Sequence, residues 1–250
     1  MDTIIAKILL SMQVLPSELL TFVLFTICVS FLLISFRLFG KVGVITFAVL
    51  SIIIANIQVL KTVSYLHLPE PLALGTVCFT MTLLASDLLN EHYGPGAAKM
   101  AVFLGFTSQL FFTLMLSLTL GFEPSGQLET HQAMQVLFTP SLRLLLASLV
   151  AYILSQLVNI WMFHWLSDTT RKRLLWLRSN ISNIISGFFD GAIFSVLAWV
   201  VFSPTPVSFD TLVWTYILGG FISRVLVSIL TTPFLYFTYR LKQQSRQYVQ

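Results

Sequence analysis

Seven apolar runs, each about the length of a bilayer crossing, follow one another along this chain with only short polar, Gly/Pro or charged breaks between them. A helix needs about 20 apolar residues to cross a hydrocarbon core of about 30 Å. The runs cover residues 18–39, 42–60, 71–90, 97–121, 141–166, 181–202 and 211–239. The punctuation is physical: Gly40 with Lys41, His67-Leu-Pro-Glu-Pro71, Gly94-Pro-Gly96, Glu123-Pro-Ser-Gly126 and Ser203-Pro-Thr-Pro206 all interrupt helix propagation. With 56% hydrophobic and only 10% charged residues, and a mean hydropathy of +0.88, the 250-residue chain leaves no room for a separate soluble domain.

Lipid offers the backbone no hydrogen-bonding partner, so spanning segments must be helices or a closed barrel. Continuous Leu, Ile, Val and Phe runs without strict alternation select helices. The expected fold class is all-α: a polytopic integral membrane helix bundle, with a six-helix core over 41–239, an additional N-terminal helix within 1–40 and a cytoplasmic tail over 240–250. The apolar stretch of the first 13 residues is short and carries Lys7, unlike a cleaved signal. Cys28 and Cys78 both sit in apolar runs and read as small buried thiols. Arg171, Lys172, Arg173 and Arg178 in one loop, and Arg240, Lys242 and Arg246 in the tail, place both on the cytoplasmic side. Glu123, Glu129 and Asp210 fall on the opposite face, with Lys61 as the basic exception. The net charge of +4 therefore reports orientation, and no nucleic-acid partner is expected.

Polar side chains at bilayer depth face the bundle interior or a water-filled cavity, so helical phase tests them. Thr76, Thr80, Asp87 and Glu91 share a narrow arc of the third helix. A helix end at the water interface is the other reading of the two acids. Ser148, Tyr152, Ser155, Gln156 and Asn159 form a stripe on the fifth helix, either a site or interhelical hydrogen bonding. Asn183, Ser186, Gly187 and Asp190 share a face of the sixth, and Asp190, about a third to half way along its run, is the acid hardest to dismiss as interfacial. Arg224 sits well inside the last run and needs an acidic or carbonyl partner, for which Asp190 and Asp87 are the candidates. On the second helix Ser51, Gln58 and Thr62 share a face while Asn56 projects elsewhere; either amide is a ligand contact or helix glue. Arg143 falls on the opposite phase of its helix, where it reaches the interface. The four histidines lie near run boundaries in no metal-ligand spacing, and no P-loop or Gly-x-Ser-x-Gly elbow occurs, so no cofactor is expected.

The stretch Ser86-Asp-Leu-Leu-Asn-Glu-His-Tyr-Gly-Pro-Gly-Ala-Ala-Lys99 resembles the signature of the queuosine precursor transporter family, also grouped as vitamin uptake transporters. Three further features fit in order. Arg143 to Asn159 is similar to the family's Arg-x-x-x-Ala-Ser…Tyr-x-x-x-Gln helix, Asn180 to Phe194 to its Asn-x-x-Ser…Asp-x-x-x-Phe helix, and Arg224 stands where the family has a basic residue. The resemblance extends from about Asn56 to Tyr239. Asn159 departs from relatives with an acid there, and Arg224 from relatives with Lys.

The resemblance implies a bacterial inner-membrane importer of 7-deazaguanine compounds: queuine, or 7-cyano- or 7-aminomethyl-7-deazaguanine. A guanine-like edge presents adjacent N–H donors and a carbonyl acceptor, which a carboxylate and an amide or guanidinium satisfy. The candidate substrate-binding residues are Asn56, Gln58, Asp87, Glu91, Gln156, Asn159, Asn183, Asp190 and Arg224, with Phe79, Phe189 and Tyr152 available to stack on the ring. Glu91 has two further readings, an inner gate or a helix-end partner of Lys99. The alternatives are the substrate-binding subunit of an energy-coupling vitamin importer, a structural membrane protein, and a membrane enzyme using Glu91 and His92. The partners implied are the deazapurine and the lipid bilayer; a homo-oligomer is admitted and no coupling ion is assigned.

Overall fold

A computed structural model of the chain describes residues 2–65, 72–126, 128–203 and 206–247. His67 and Pro71 lie outside these, as do the side chains of Arg143, Lys242 and Arg246. The fold is helical: α1 (Asp2–Gln13), α2 (Ser17–Gln58), α3 (Thr76–Tyr93), α4 (Pro95–Gly121), α5 (Leu128–Thr169), α6 (Leu175–Val196) and α7 (Gly220–Gln247). Wide π-helical turns at Leu197–Val201 and Thr211–Gly219 extend α6 and lead into α7. Two short antiparallel strands, Thr62–Val63 and Leu72–Ala73, join α2 to α3.

Gly40 breaks α2 where the sequence places a break. Its φ of 56° and ψ of −129° lie outside helical space and suit only a residue without Cβ. A side chain at Gly43 would stand 2.2 Å from the Ser35 carbonyl oxygen, although eight residues of straight helix cover about 12 Å. The two limbs of α2 therefore fold sharply against each other. At Gly94 a φ of 83° ends α3, and Pro95, which needs no backbone donor, opens α4.

Among the described residues four helical segments are long and apolar enough to cross a bilayer: Ser17–Gln58, Pro95–Gly121, Leu144–Thr169 and Leu175–Val201. The surface is apolar, with Phe22, Phe31, Leu38, Phe111, Leu118, Trp161, Trp214 and Leu226 exposed, while Asp87, Gln156, Asn159 and Asn183 are buried. That inversion is what a bilayer solvent requires, and the chain is a polytopic helical membrane protein.

Helix α3 is the central post. Every residue from Thr80 to Asn90 is buried. Its apolar side, with Met81, Ala85, Leu88 and Leu89, packs with Leu32, Phe36, Val44 and Ile52 of α2 and Ala98 and Val102 of α4. Its polar side faces α5, α6 and α7. Burial on all sides explains why α3 is weakly amphipathic in sequence yet carries both a core and a site.

Several boundaries differ from the sequence expectations. Helix α5 starts at Leu128 instead of near 141, and α6 at Leu175 instead of 181. Helix α7 continues to Gln247, so part of the expected tail is helical. Thr62 lies in a strand, because α2 ends at Gln58, and so does not extend the face shared by Ser51 and Gln58.

Candidate functional site

Polar groups from α3, α5, α6 and α7 form one column with three charged levels. On α6 the levels are marked by Arg178, Asn183 and Asp190, a span of 12 residues and hence about 18 Å.

At the first level Asp190 pairs with Arg224, Nη1 to Oδ2 at 2.6 Å. The same nitrogen donates to the Gly187 carbonyl at 3.0 Å, and Ser155 Oγ donates to Asp190 Oδ1 at 3.2 Å. A side chain at Gly191 would come within 3.4 Å of Arg224 Nη1, so the small residues of α6 admit the guanidinium. The Arg224 guanidinium carbon stands 5.2 Å from the centroid of Phe79, which meets Tyr152 edge to face at 6.5 Å. Gln156 Nε2 donates to Thr82 Oγ1 at 2.8 Å one turn along α3, and its Oε1 is buried without a hydrogen-bond partner.

At the second level Asp87 is fully buried and held by neutral donors alone. Asn159 Nδ2 reaches Oδ1 at 3.0 Å; Ser179 Oγ at 2.6 Å and Asn183 Nδ2 at 3.0 Å reach Oδ2. Ser186 Oγ donates to Asn159 Oδ1 at 3.3 Å, and Asn183 Oδ1 is buried without a partner. The third level pairs Glu91 with Arg178 in a bidentate bridge of 2.8 and 3.2 Å. Arg178 also donates to Ser167 Oγ at 2.7 Å and stacks on Phe163, while the Tyr239 hydroxyl donates to Glu91. A cleft of about 210 Å³ opens beside this level, lined in part by Asn90, Glu91, Phe163 and Ser167.

Two buried acid–arginine pairs and a third acid on one interior column suit the passage of a small polar molecule through a helix bundle. Residues 73–238, the whole stretch from the second strand through most of α7, match the family described as "Putative vitamin uptake transporter". The chain belongs to that family. A protein of Bacillus subtilis (strain 168) named "Probable queuosine precursor transporter" is 33% identical over 205 residues, covering 82% of this chain and 86% of its own length. No solved structure matches.

The structure gathers Asp87, Glu91, Gln156, Asn159, Asn183, Asp190 and Arg224 into the column. It sets Asn56 apart: Asn56 Oδ1 accepts from Ser148 Oγ at 2.5 Å, so this buried amide ties α2 to α5. Gln58 lies beside it at the end of α2, half-buried, with Oε1 lacking a hydrogen-bond partner. Arg224 takes Asp190 and not Asp87 as its counterion. Glu91 takes Arg178 instead of Lys99. Phe189 faces outward, 47% exposed, because it is one residue, about 100°, out of phase with Asp190.

Arg178 is the main residue that sequence reasoning missed. Counted there as a loop charge marking the cytoplasmic face, it is a fully buried member of α6. The available signal was Leu174-Leu-Trp-Leu177, an apolar stretch with no breaker before Arg178, which extends the helix backwards. Ser179 and Thr82 were unremarkable as small polar residues and gained roles only through the partners that face them.

Proposed function

We propose that this protein imports queuosine precursors, queuine or a 7-substituted 7-deazaguanine, across the bacterial inner membrane, recognising the base between Asp190 and Arg224. The observation that carries this reading is an acid–arginine pair set against the face of Phe79. A deazaguanine ring stacks on Phe79 in the place of the guanidinium, donates its two adjacent N–H groups to Asp190, and accepts from Arg224 through its carbonyl oxygen. Gln156 Oε1 supplies a further buried acceptor within the same layer. Substrate thus exchanges one set of charge-assisted hydrogen bonds for another, which keeps neither ionised group bare during transit.

Seven crossings follow if each limb of α2 spans, together with α3, α4, α5, α6 and the segment that ends in α7. The basic turn at Arg171 to Arg173 then lies in the cytoplasm with the C terminus. On that orientation the Glu91–Arg178–Tyr239 cluster is the cytoplasmic closure, joining α3, α6 and α7 below the substrate.

The test is uptake of radiolabelled queuine and 7-cyano-7-deazaguanine by the purified chain in liposomes, without any ATPase. Exchange of labelled for unlabelled base is the expected result, and Asp190→Asn weakens it about 10- to 100-fold by removing a charge-assisted acceptor. Undiminished exchange by both Asp190→Asn and Arg224→Gln would refute the recognition scheme. Movement only when an ATPase copurifies would favour the energy-coupling subunit.

A further inference from the structure

We infer that Asp87 is a proton-carrying site that couples this transporter to the proton gradient, separate from the pair that contacts substrate; the coupling rests on the import reading above. The two buried acids on the column are built differently. Asp190 has a guanidinium at 2.6 Å, whereas the groups bonded to Asp87 are two amides and a hydroxyl. Among the described residues, the other charged groups packed around α3 on this side are engaged elsewhere. Glu91, one turn along α3, is held by Arg178 of α6 and Tyr239 of α7; Asp190 and Arg224 hold each other; His92 bonds Thr238 at 2.7 Å. From α5 the side chains bonded in this layer are the neutral Ser155, Gln156 and Asn159. An ionised Asp87 at this depth has hydrogen bonds but no counter-charge, and taking up a proton is the direct way to remove that charge.

The surrounding groups accommodate both states. As drawn, three hydrogens converge on the carboxylate, which suits the ionised acid. After protonation one carboxyl oxygen must donate instead. Turning the Asn183 amide over brings its Oδ1, now buried and without a hydrogen-bond partner, to the position of Nδ2, 3.0 Å from Asp87 Oδ2, where it accepts that O–H. Turned over, the amide gives up its Nδ2 bond to Ser179 Oγ at 3.3 Å and gains the O–H of the acid, so each state keeps a direct bond between Asn183 and Asp87. A sodium ion asks for more, since both amides would have to present oxygen in place of the hydrogens now converging on the acid.

Access and linkage are also in place. The cleft at the Glu91 level is lined by Asn90 and Phe163, within about one turn of Asp87 on α3 and of Asn159 on α5. Ser155 on Asp190 and Asn159 on Asp87 are four residues apart on α5, and Ser186, which bonds Asn159, is four from Asp190 on α6. Displacing Arg224 from Asp190 by substrate therefore shifts the same two helix faces that hold Asp87.

The experiment uses the full chain in liposomes at clamped voltage, with labelled queuine as the probe and a pH-sensitive dye inside. An acid exterior is expected to concentrate queuine about tenfold per pH unit at one proton per substrate. Asp87→Asn, a neutral mimic of the protonated acid, is expected to lose accumulation and to lower the ratio of protons to queuine entering at least tenfold, a ratio that divides out any change in exchange rate. Accumulation by Asp87→Asn equal to wild type overturns the inference, as does accumulation that follows a sodium gradient and ignores pH. If wild type exchanges no deazapurine, the substrate reading fails, and infrared titration decides the proton site by itself. A carboxylic C=O band that titrates in wild type, vanishes in Asp87→Asn and shifts in Asp87→Glu supports it; no such titrating band overturns it.

Discussion

Removing one member of the Glu91–Arg178 pair measures how strongly a buried arginine near a turn ties α6 to α3. The Arg178 side chain is 1% exposed and makes two bonds to Glu91 and one to Ser167, while Glu91 is 10% exposed. Deleting one partner of such a pair strands the other charge, at a cost of about 3–5 kcal/mol. Arg178→Met should fall near the low end, because Glu91 retains the Tyr239 hydroxyl and some water. Glu91→Leu should fall near the high end, because the guanidinium is left with Ser167, the Lys172 carbonyl and the Phe163 ring. The double variant replaces ion pair by apolar contact and should cost less than either single variant, which makes the coupling about 5 kcal/mol or more. SDS-induced unfolding in mixed micelles, followed by circular dichroism, measures all four corners of the cycle. Additive single effects, with coupling below about 0.5 kcal/mol, would show that the two residues do not meet and that Arg178 is the loop charge its sequence position suggests.

Other expectations follow from single contacts. Gly105→Ala places a methyl 2.6 Å from the Tyr152 hydroxyl and should cost about 1–3 kcal/mol and impair uptake; adding Tyr152→Phe, which removes the obstructing oxygen, should restore most of both. Gly43→Ala meets backbone at 2.2 Å, which no rotamer change relieves, so it should reduce the yield of folded protein in detergent more than Gly105→Ala does. The sulfurs of Cys28 and Cys78 lie 3.8 Å apart, so mild oxidation should lose two hydrogens and form an intramolecular disulfide detectable by intact mass; free thiols after oxidation would contradict the α2–α3 packing.

The site was partly legible because helical phase is a one-dimensional property. Spacing alone grouped Ser155, Gln156 and Asn159, and separately Asn183, Ser186 and Asp190, and the structure turns these faces toward one another. Phase could not choose partners. Asp87 and Asp190 were equal candidates for Arg224, and only the packing of α7 against α6 at Gly187 and Gly191 settles the pair. Asn56 looked misaligned with Gln58 because phase was referred to one helix, whereas its partner Ser148 belongs to another.

The chain by itself determined that this is a helical membrane protein with a sharp turn at Gly40, because the cost of exposing peptide groups to lipid and the need for a residue without Cβ are local constraints. What tertiary structure decided is which charges neutralise which. Arg178 became an interior residue and Asp87 was left with neutral donors, since counterions are chosen by distances between helices far apart in sequence, as Arg178 and Glu91 are at 87 residues.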